Sequence, residues 1–164
     1  MDVLFSYRGS ILVVPALLAL LSASLTPQSL ASSLPLVALG LILRAWAVGH
    51  IGGASRTRLV EAPPSRVVSG PYRFLRHPLY IGNLGVALGL LLALRPPVPL
   101  LALIVFFVTA FYALLALRED EMLLSLPLRR LQGRISWAEV VRCERSTWVT
   151  TGLVLTLGGL RSLL

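Results

Sequence analysis

The chain has 164 residues, of which 56% are hydrophobic and only 13% are charged, and its mean hydropathy is +0.83. This length indicates one domain, residues 1–164, and this composition excludes a soluble globular protein of that size. All fifteen basic residues are arginines, and the net charge is +8. Because the arginines flank apolar runs and form no basic stripe with interleaved aromatic residues, membrane lipids are the expected partner and nucleic acid is not.

Five apolar stretches predict an all-α integral membrane helical bundle with four or five transmembrane helices. They cover about residues 10–25, 34–50, 79–94, 99–117 and 147–164. The last is short and could also be re-entrant, which leaves the number of spans at four or five. The first is also similar to a secretory signal with a small-residue cleavage site, but a retained helix is favoured because the later helices hold the chain in the membrane.

The segment before the second helix, Thr26 to Ser33, is polar and uncharged and predicts a loop. Arg44 lies inside the second helix, where a charge is costly. It either faces a cavity or partner, as a functional residue, or extends to the headgroups. Trp46 and His50 lie one turn apart and share a face. His50 ends the helix as a polar cap or as a ligand.

Charge sets the predicted topology. The loop of residues 51–69 is rich in arginine and should therefore be cytoplasmic. Arg95-Pro96-Pro97 predicts a tight turn between the third and fourth helices, so Arg118-Glu119-Asp120-Glu121 should reach the same membrane face as Arg76-His77-Pro78. Residues 123–144 mix arginines with glutamates and predict short interfacial helices.

The most polar helix start in the chain is the stretch from Gly70 to Asn83. Gly70-Pro71 predicts a turn, and Pro78 fits the first position of a helix. Arg76 and His77 therefore lie at a helix N-terminus, which favours an anionic group. Two tyrosine rings, Tyr72 and Tyr80, can attract a cation such as a sulfonium.

Three glycines follow in the third helix. Gly82, Gly85 and Gly89 form one stripe, which allows another backbone or a flat cofactor to approach closely. Helix packing is the expected role of Gly85 and Gly89, and cofactor approach that of Gly82.

The order Gly70-Pro71-Tyr72, then Arg76-His77-Pro78-Leu79-Tyr80-Ile81-Gly82-Asn83, closely resembles the signature of the isoprenylcysteine carboxyl methyltransferase family and related membrane phospholipid methyltransferases. The segments 43–50 and 118–121 are also similar to small bacterial members. The resemblance implies an integral membrane enzyme of the bacterial inner membrane that uses S-adenosylmethionine on a lipid-like or small hydrophobic acceptor, with its active site facing the cytoplasm.

The resemblance also implies roles for individual residues. The cofactor would be bound by Tyr72, Arg76, His77, Leu79, Tyr80, Gly82 and Asn83. The catalytic group would be Arg118, Glu119, Asp120 and Glu121, in which a carboxylate pairs with the positive charge or ribose of the cofactor and Arg118 holds an anionic acceptor. The acceptor would also meet Arg44, Trp46 and His50. No ligand spacing predicts a metal, and the single cysteine, Cys143, forms no intramolecular disulfide.

The chain departs from the family pattern after the acidic cluster. Members usually continue with Phe-Gly and two tyrosines, whereas residues 125–133 here read Ser-Leu-Pro-Leu-Arg-Arg-Leu-Gln-Gly. Two alternatives therefore stand beside the methyltransferase: a binding or scaffold protein that keeps the fold without activity, and a nicotinamide-dependent reductase of the related sterol-reductase kind, against which the short chain argues.

Overall fold

The computed structural model describes residues 11–51, 66–124, 128–129, 135 and 137–162. Within these ranges the regular secondary structure is helical apart from one pair of two-residue strands, which confirms the helical fold class. The elements, in chain order, are α1 (Val13–Leu21), α2 (Pro27–Ile51), β1 (Arg66–Val67), a 3₁₀ helix (Gly70–Arg73), α3 (Pro78–Leu94), α4 (Val98–Leu123), β2 (Leu128–Arg129) and α5 (Trp137–Arg161). The two strands pair in parallel, with Arg66 opposite Leu128 and Val67 opposite Arg129.

Two of the described helices, over Pro27–Ile51 and Val98–Glu121, are long and apolar enough to cross a membrane. Helix α3 is also apolar but has 17 residues, or about 26 Å at the helical rise of ~1.5 Å per residue. The structure therefore agrees with a helical membrane protein, and the number of crossings, four or five, stays a prediction.

The start of the chain differs from the sequence prediction in two places. Helix α1 has nine residues and is shorter than the helix predicted over residues 10–25. It ends at Leu21, where the Ser22 hydroxyl donates to the Leu18 carbonyl oxygen at 2.8 Å. The predicted loop at 26–33 is wrong, since α2 already begins at Pro27. Thr26 and Ser29 cap that helix reciprocally: each backbone N–H donates to the hydroxyl oxygen of the other, at 2.9 and 3.1 Å.

The C-terminal helices are longer than predicted. Helix α4 continues to Leu123, so the acidic cluster forms its last turns and does not follow it. The predicted interfacial helices and separate span at 147–164 are replaced, in the described part, by one helix of 25 residues, α5. Glu139 in its first turn and Arg161 in its last turn both interact favourably with the helix dipole. Glu144 is neutralised by Arg44 on α2. Residues 125–127, 130–134 and 136 lie outside the described part.

Helices α2 and α3 approach each other through glycines. A Cβ on Gly40 would lie 2.7 Å from the backbone nitrogen of Val86 and 2.8 Å from the carbonyl oxygen of Gly82. A Cβ on Gly89 would lie 2.9 Å from the backbone nitrogen of Val37, and one on Gly85 would lie 3.4 Å from the Gly40 Cα. The packing role predicted for Gly85 and Gly89 is therefore confirmed, and Gly82 lies in the same interface.

The predicted hairpin between α3 and α4 is present. Arg95 adopts a left-handed conformation (φ 48°), and its N–H caps the Leu91 carbonyl oxygen. An apolar cluster at this end contains Ala19, Leu91, Leu94, Ile104 and Val108. Because the chain reverses here, the N-terminus of α3 and the C-terminus of α4 lie together at the opposite end, where Val48, Val140 and Cys143 form a second cluster.

Candidate active site at the polar end of the bundle

The turn before α3 fixes the orientation of the helix start. Gly70 has φ +59°, and a Cβ there would lie 2.4 Å from Nε2 of His50. His50 is itself held by its Nδ1, 2.9 Å from the Trp46 carbonyl oxygen. Pro78 occupies the first turn of α3, which places His77 at the N-cap with φ −127°. The sequence from Gly70 to Pro78 therefore delivers His77 to the start of α3 at a fixed angle.

His77 contacts the acidic end of α4. Its Nε2 lies 3.0 Å from Oδ1 of Asp120, and its Nδ1 lies 3.4 Å from Oε2 of Glu119. Arg76 reaches the other oxygen of Asp120 with Nη1 at 3.0 Å. The predicted convergence of the histidine-bearing helix start with the acidic helix end is therefore observed.

These contacts change the protonation of His77. Burial alone lowers the pKa of the imidazole, but the hydrogen bonds and negative charges of Glu119 and Asp120 outweigh burial, so the pKa is raised above 6.5. The imidazolium is thus favoured while both carboxylates face it.

Aromatic rings continue from His77 along α3 and α4. The His77 and Tyr80 rings stack with centroids 5.5 Å apart, and Tyr80 stacks on Tyr112 at 5.7 Å. Tyr112 then meets Phe111 edge-on at 5.9 Å. These rings form an apolar wall with electron-rich faces on one side of the His77 and Asp120 contact.

Tyr72 carries a buried hydroxyl that has no hydrogen-bond partner among the described residues. Burial, followed by the charge of Glu119, raises the pKa of this phenol above its usual range, while Arg44 acts in the opposite direction. The hydroxyl therefore stays protonated and is available as a donor. Ser69, three residues earlier, has a second buried hydroxyl without a partner in the described chain.

Arg44 is bound by other side chains inside the bundle. Its Nε donates to Oε2 of Glu144 at 2.8 Å and its Nη2 to Oε1 at 2.7 Å, a bidentate pair. Nη2 also reaches Oγ1 of Thr147 at 3.2 Å, and Nη1 donates to Oδ1 of Asn83. Of the two readings of Arg44, a partner inside the bundle or extension to the headgroups, the structure shows the first.

Other members of the predicted site are arranged differently. Leu79 packs against the Val48 and Val140 cluster, and Gly82 accommodates the Arg44 side chain, since a Cβ on Gly82 would lie 2.7 Å from Cγ of Arg44. Trp46 is exposed and meets the His50 ring edge-on at 6.4 Å. Arg118 and Glu121 are exposed and 3.7 Å apart.

The structure thus brings together six predicted residues: Tyr72, Arg76, His77, Tyr80, Glu119 and Asp120. Arg118 and Glu121 lie 3.7 Å apart as exposed side chains at the end of α4, and Arg44 and Asn83 belong to a partly buried network. Their roles toward a cofactor or acceptor stay predictions. The sequence analysis missed Glu144, Thr147 and Tyr112. A charge inside an apolar helix requires a counter-ion, so Arg44 was a signal for Glu144, although spacing alone could not select it.

A cavity of about 590 Å³ lies at the other end of the bundle, lined by residues that include Ser29, Leu91 and Arg95. None of the predicted site residues lines it. The Ser29 hydroxyl donates to the Ala93 carbonyl oxygen at 2.8 Å and is therefore committed to the fold. Among the described residues, no group of three histidine, cysteine or acidic side chains is placed to hold a metal ion.

Comparison with known proteins supports the motif. The family model of the isoprenylcysteine carboxyl methyltransferase family matches residues 33–125, more than half of the chain. This range contains His77, Glu119 and Asp120 and ends before α5. No curated protein and no solved structure gives a significant match. On the family match, this membrane protein is a methyltransferase and belongs to the isoprenylcysteine carboxyl methyltransferase family.

Proposed function

We propose that this protein transfers a methyl group from S-adenosylmethionine to a lipid-like or small hydrophobic acceptor, at a carboxylate or an amine, on the cytoplasmic face of the bacterial inner membrane. The contact of His77 with Glu119 and Asp120, beside the buried Tyr72 hydroxyl, is the observation that carries the proposal. Of the described arginines, most lie near this end of the bundle, which supports its cytoplasmic orientation.

The residues present fit the proposed donor. The carboxylates of Glu119 and Asp120 can accept hydrogen bonds from ribose hydroxyls, and the Tyr72 hydroxyl, which has no partner among the described residues, can donate one. The Tyr80 ring, which stacks on His77 and on Tyr112, lies next to them. When bound, S-adenosylmethionine supplies a methyl group on a positively charged sulfur that departs as a neutral thioether.

The chain contributes orientation and a low-water environment, and acid–base chemistry is secondary. Arg76 and His77 hold both oxygens of Asp120, which fixes that carboxylate. The Tyr80 and Tyr112 rings exclude water on one side, which strengthens the electrostatic effect of the carboxylates. We assign the exposed Arg118 to an anionic acceptor arriving from the headgroup region, since a guanidinium can hold a carboxylate or a phosphate through two hydrogen bonds.

Calorimetry on detergent-purified protein tests the donor site. We expect S-adenosylhomocysteine to bind the wild type and to bind His77→Ala and Asp120→Asn at least about tenfold more weakly, the effect of roughly one lost charge-assisted contact. Glu139→Gln, an exposed acid on α5, is the matched control and should bind normally. Equal binding by His77→Ala and the wild type would remove this histidine from the site.

Methyl transfer distinguishes the enzyme from a scaffold. Labelled S-adenosylmethionine incubated with the protein and a total lipid extract should yield labelled lipid or a labelled small hydrophobic product. Ligand binding without any transfer into the extract or into hydrophobic carboxylates and amines would favour the non-catalytic alternative.

A further inference from the structure

A buried ion pair joins α2 to α5 beside the candidate active site. Glu144 is 1% exposed, and the Arg44 side chain is 13% exposed. Arg44 donates two hydrogen bonds of 2.7 and 2.8 Å to Glu144, and Thr147 accepts a third from the guanidinium. A guanidinium does not lose its proton in a protein, so the charge of Arg44 persists whether or not Glu144 faces it.

Arg44 also touches the motif side of the site. It donates to Asn83, and its Cγ lies against Gly82. Arg44 and Glu119 both act electrostatically on Tyr72. The field of Arg44 therefore reaches the region where the carboxylates of α4 meet His77. Glu144 determines how much of that field remains.

We infer that Glu144 is a positioning residue of the donor site: it holds Arg44 and cancels its charge, so that Arg44 does not repel a cationic ligand bound beside Glu119 and Asp120. This inference rests on the proposed function. It reassigns Arg44 from the acceptor to the electrostatics of the donor. It also makes α5 part of the site, although Glu144 and Thr147 lie outside the range that matches the family.

The inference predicts discrimination by charge. S-adenosylmethionine and S-adenosylhomocysteine differ by one methyl group and by the positive charge on sulfur. Without Glu144, the uncompensated Arg44 repels the first ligand and hardly affects the second. One unit charge at about 10 Å, with an effective dielectric constant near ~20, changes affinity roughly tenfold.

The experiment measures both dissociation constants by calorimetry in lipid nanodiscs. For Glu144→Gln we expect the constant for S-adenosylmethionine to rise about tenfold and that for S-adenosylhomocysteine to change less than about threefold. The double variant Arg44→Met/Glu144→Leu removes both charges and keeps similar volume, so it should fold and recover the wild-type ratio. Glu139→Gln on the same helix is the matched control.

Several results would overturn the inference. Glu144→Gln could weaken both ligands equally, which is the outcome of a purely structural ion pair, or the double variant could keep the shifted ratio. If Glu144→Gln does not fold, Arg44→Gln replaces it. That variant removes the repelling charge, so the ratio should stay at the wild-type value or move in favour of S-adenosylmethionine, and a shift against S-adenosylmethionine contradicts the inference as well. A wild type that binds neither ligand refutes the proposed function and this inference together, whereas binding with an unchanged ratio refutes this inference alone.

Discussion

Adding one methyl group at Gly40 should separate α2 from α3. The new Cβ would lie 2.7 Å from the Val86 nitrogen and 2.8 Å from the Gly82 carbonyl oxygen, whereas ordinary contacts begin near 3.4 Å. Both atoms belong to the backbone of α3 and cannot rotate away. Relief therefore requires a shift of the helices by more than half an ångström, and overpacking of this kind costs about 1–3 kcal/mol.

The expected net effect is smaller because alanine favours the helix. Replacing glycine inside a helix gains ~0.5–1 kcal/mol, which leaves Gly40→Ala destabilised by about 1–2 kcal/mol. For a chain of this size, the change corresponds to a melting temperature lower by roughly 2–8 °C. The transition can be followed through tryptophan fluorescence in detergent, since the chain contains three tryptophans.

A matched substitution on α5 separates packing from propensity. A Cβ on Gly152 would meet nothing within 4 Å, so Gly152→Ala should melt at or above the wild-type temperature. Gly85→Ala, whose closest contact would be 3.4 Å, should fall between the two. The reasoning is refuted if Gly40→Ala melts with the wild type, or if Gly152→Ala loses as much stability as Gly40→Ala does.

Two further predictions concern the site. The raised pKa of His77 contributes stability that is complete below pH about 6.5 and is lost as pH rises through the raised pKa. Between pH 5 and 9, the melting temperature should therefore fall more on the alkaline side for the wild type than for His77→Gln. Parallel curves for the two proteins would contradict the assignment. Tyr72→Phe removes a buried hydroxyl that has no partner among the described residues. The substitution should leave the free energy of unfolding unchanged or raise it by ~1–3 kcal/mol, and it should weaken binding of S-adenosylhomocysteine. A large loss of stability would show that the hydroxyl already has a partner.

The meeting of His77 with Asp120 could be predicted because it depends only on chain direction. One tight turn at Arg95-Pro96-Pro97 reverses the helix, so the residues before α3 and at the end of α4 must share a face. Helix packing at Gly85 and Gly89 could also be predicted, because their spacing places both on one stripe. These features depend on local geometry that a single sequence contains.

The features that the sequence did not reveal depend on partners that are distant in the chain. Arg44 and Glu144 are separated by 100 positions. Glu144 has Arg142 and Arg145 beside it in the sequence, and either was an equally plausible partner for its carboxylate. Thr26 and Ser29 looked like loop residues because hydroxyl side chains favour turns as well as helix caps. In both cases the sequence shows polar residues, and only the contact in the folded chain shows which group each of them binds.

The short parallel pair of strands has a mechanical consequence for the candidate site. Arg66 and Val67 lie just before the turn that delivers His77, and Leu128 and Arg129 come just after the helix that carries Asp120. Pairing of β1 with β2 therefore connects the segment before α3 to the segment after α4. The two strands and the chain between them form a closed loop that contains α3 and α4. A displacement of one strand is therefore transmitted to the other, so the start of α3 and the end of α4 would move together as one unit.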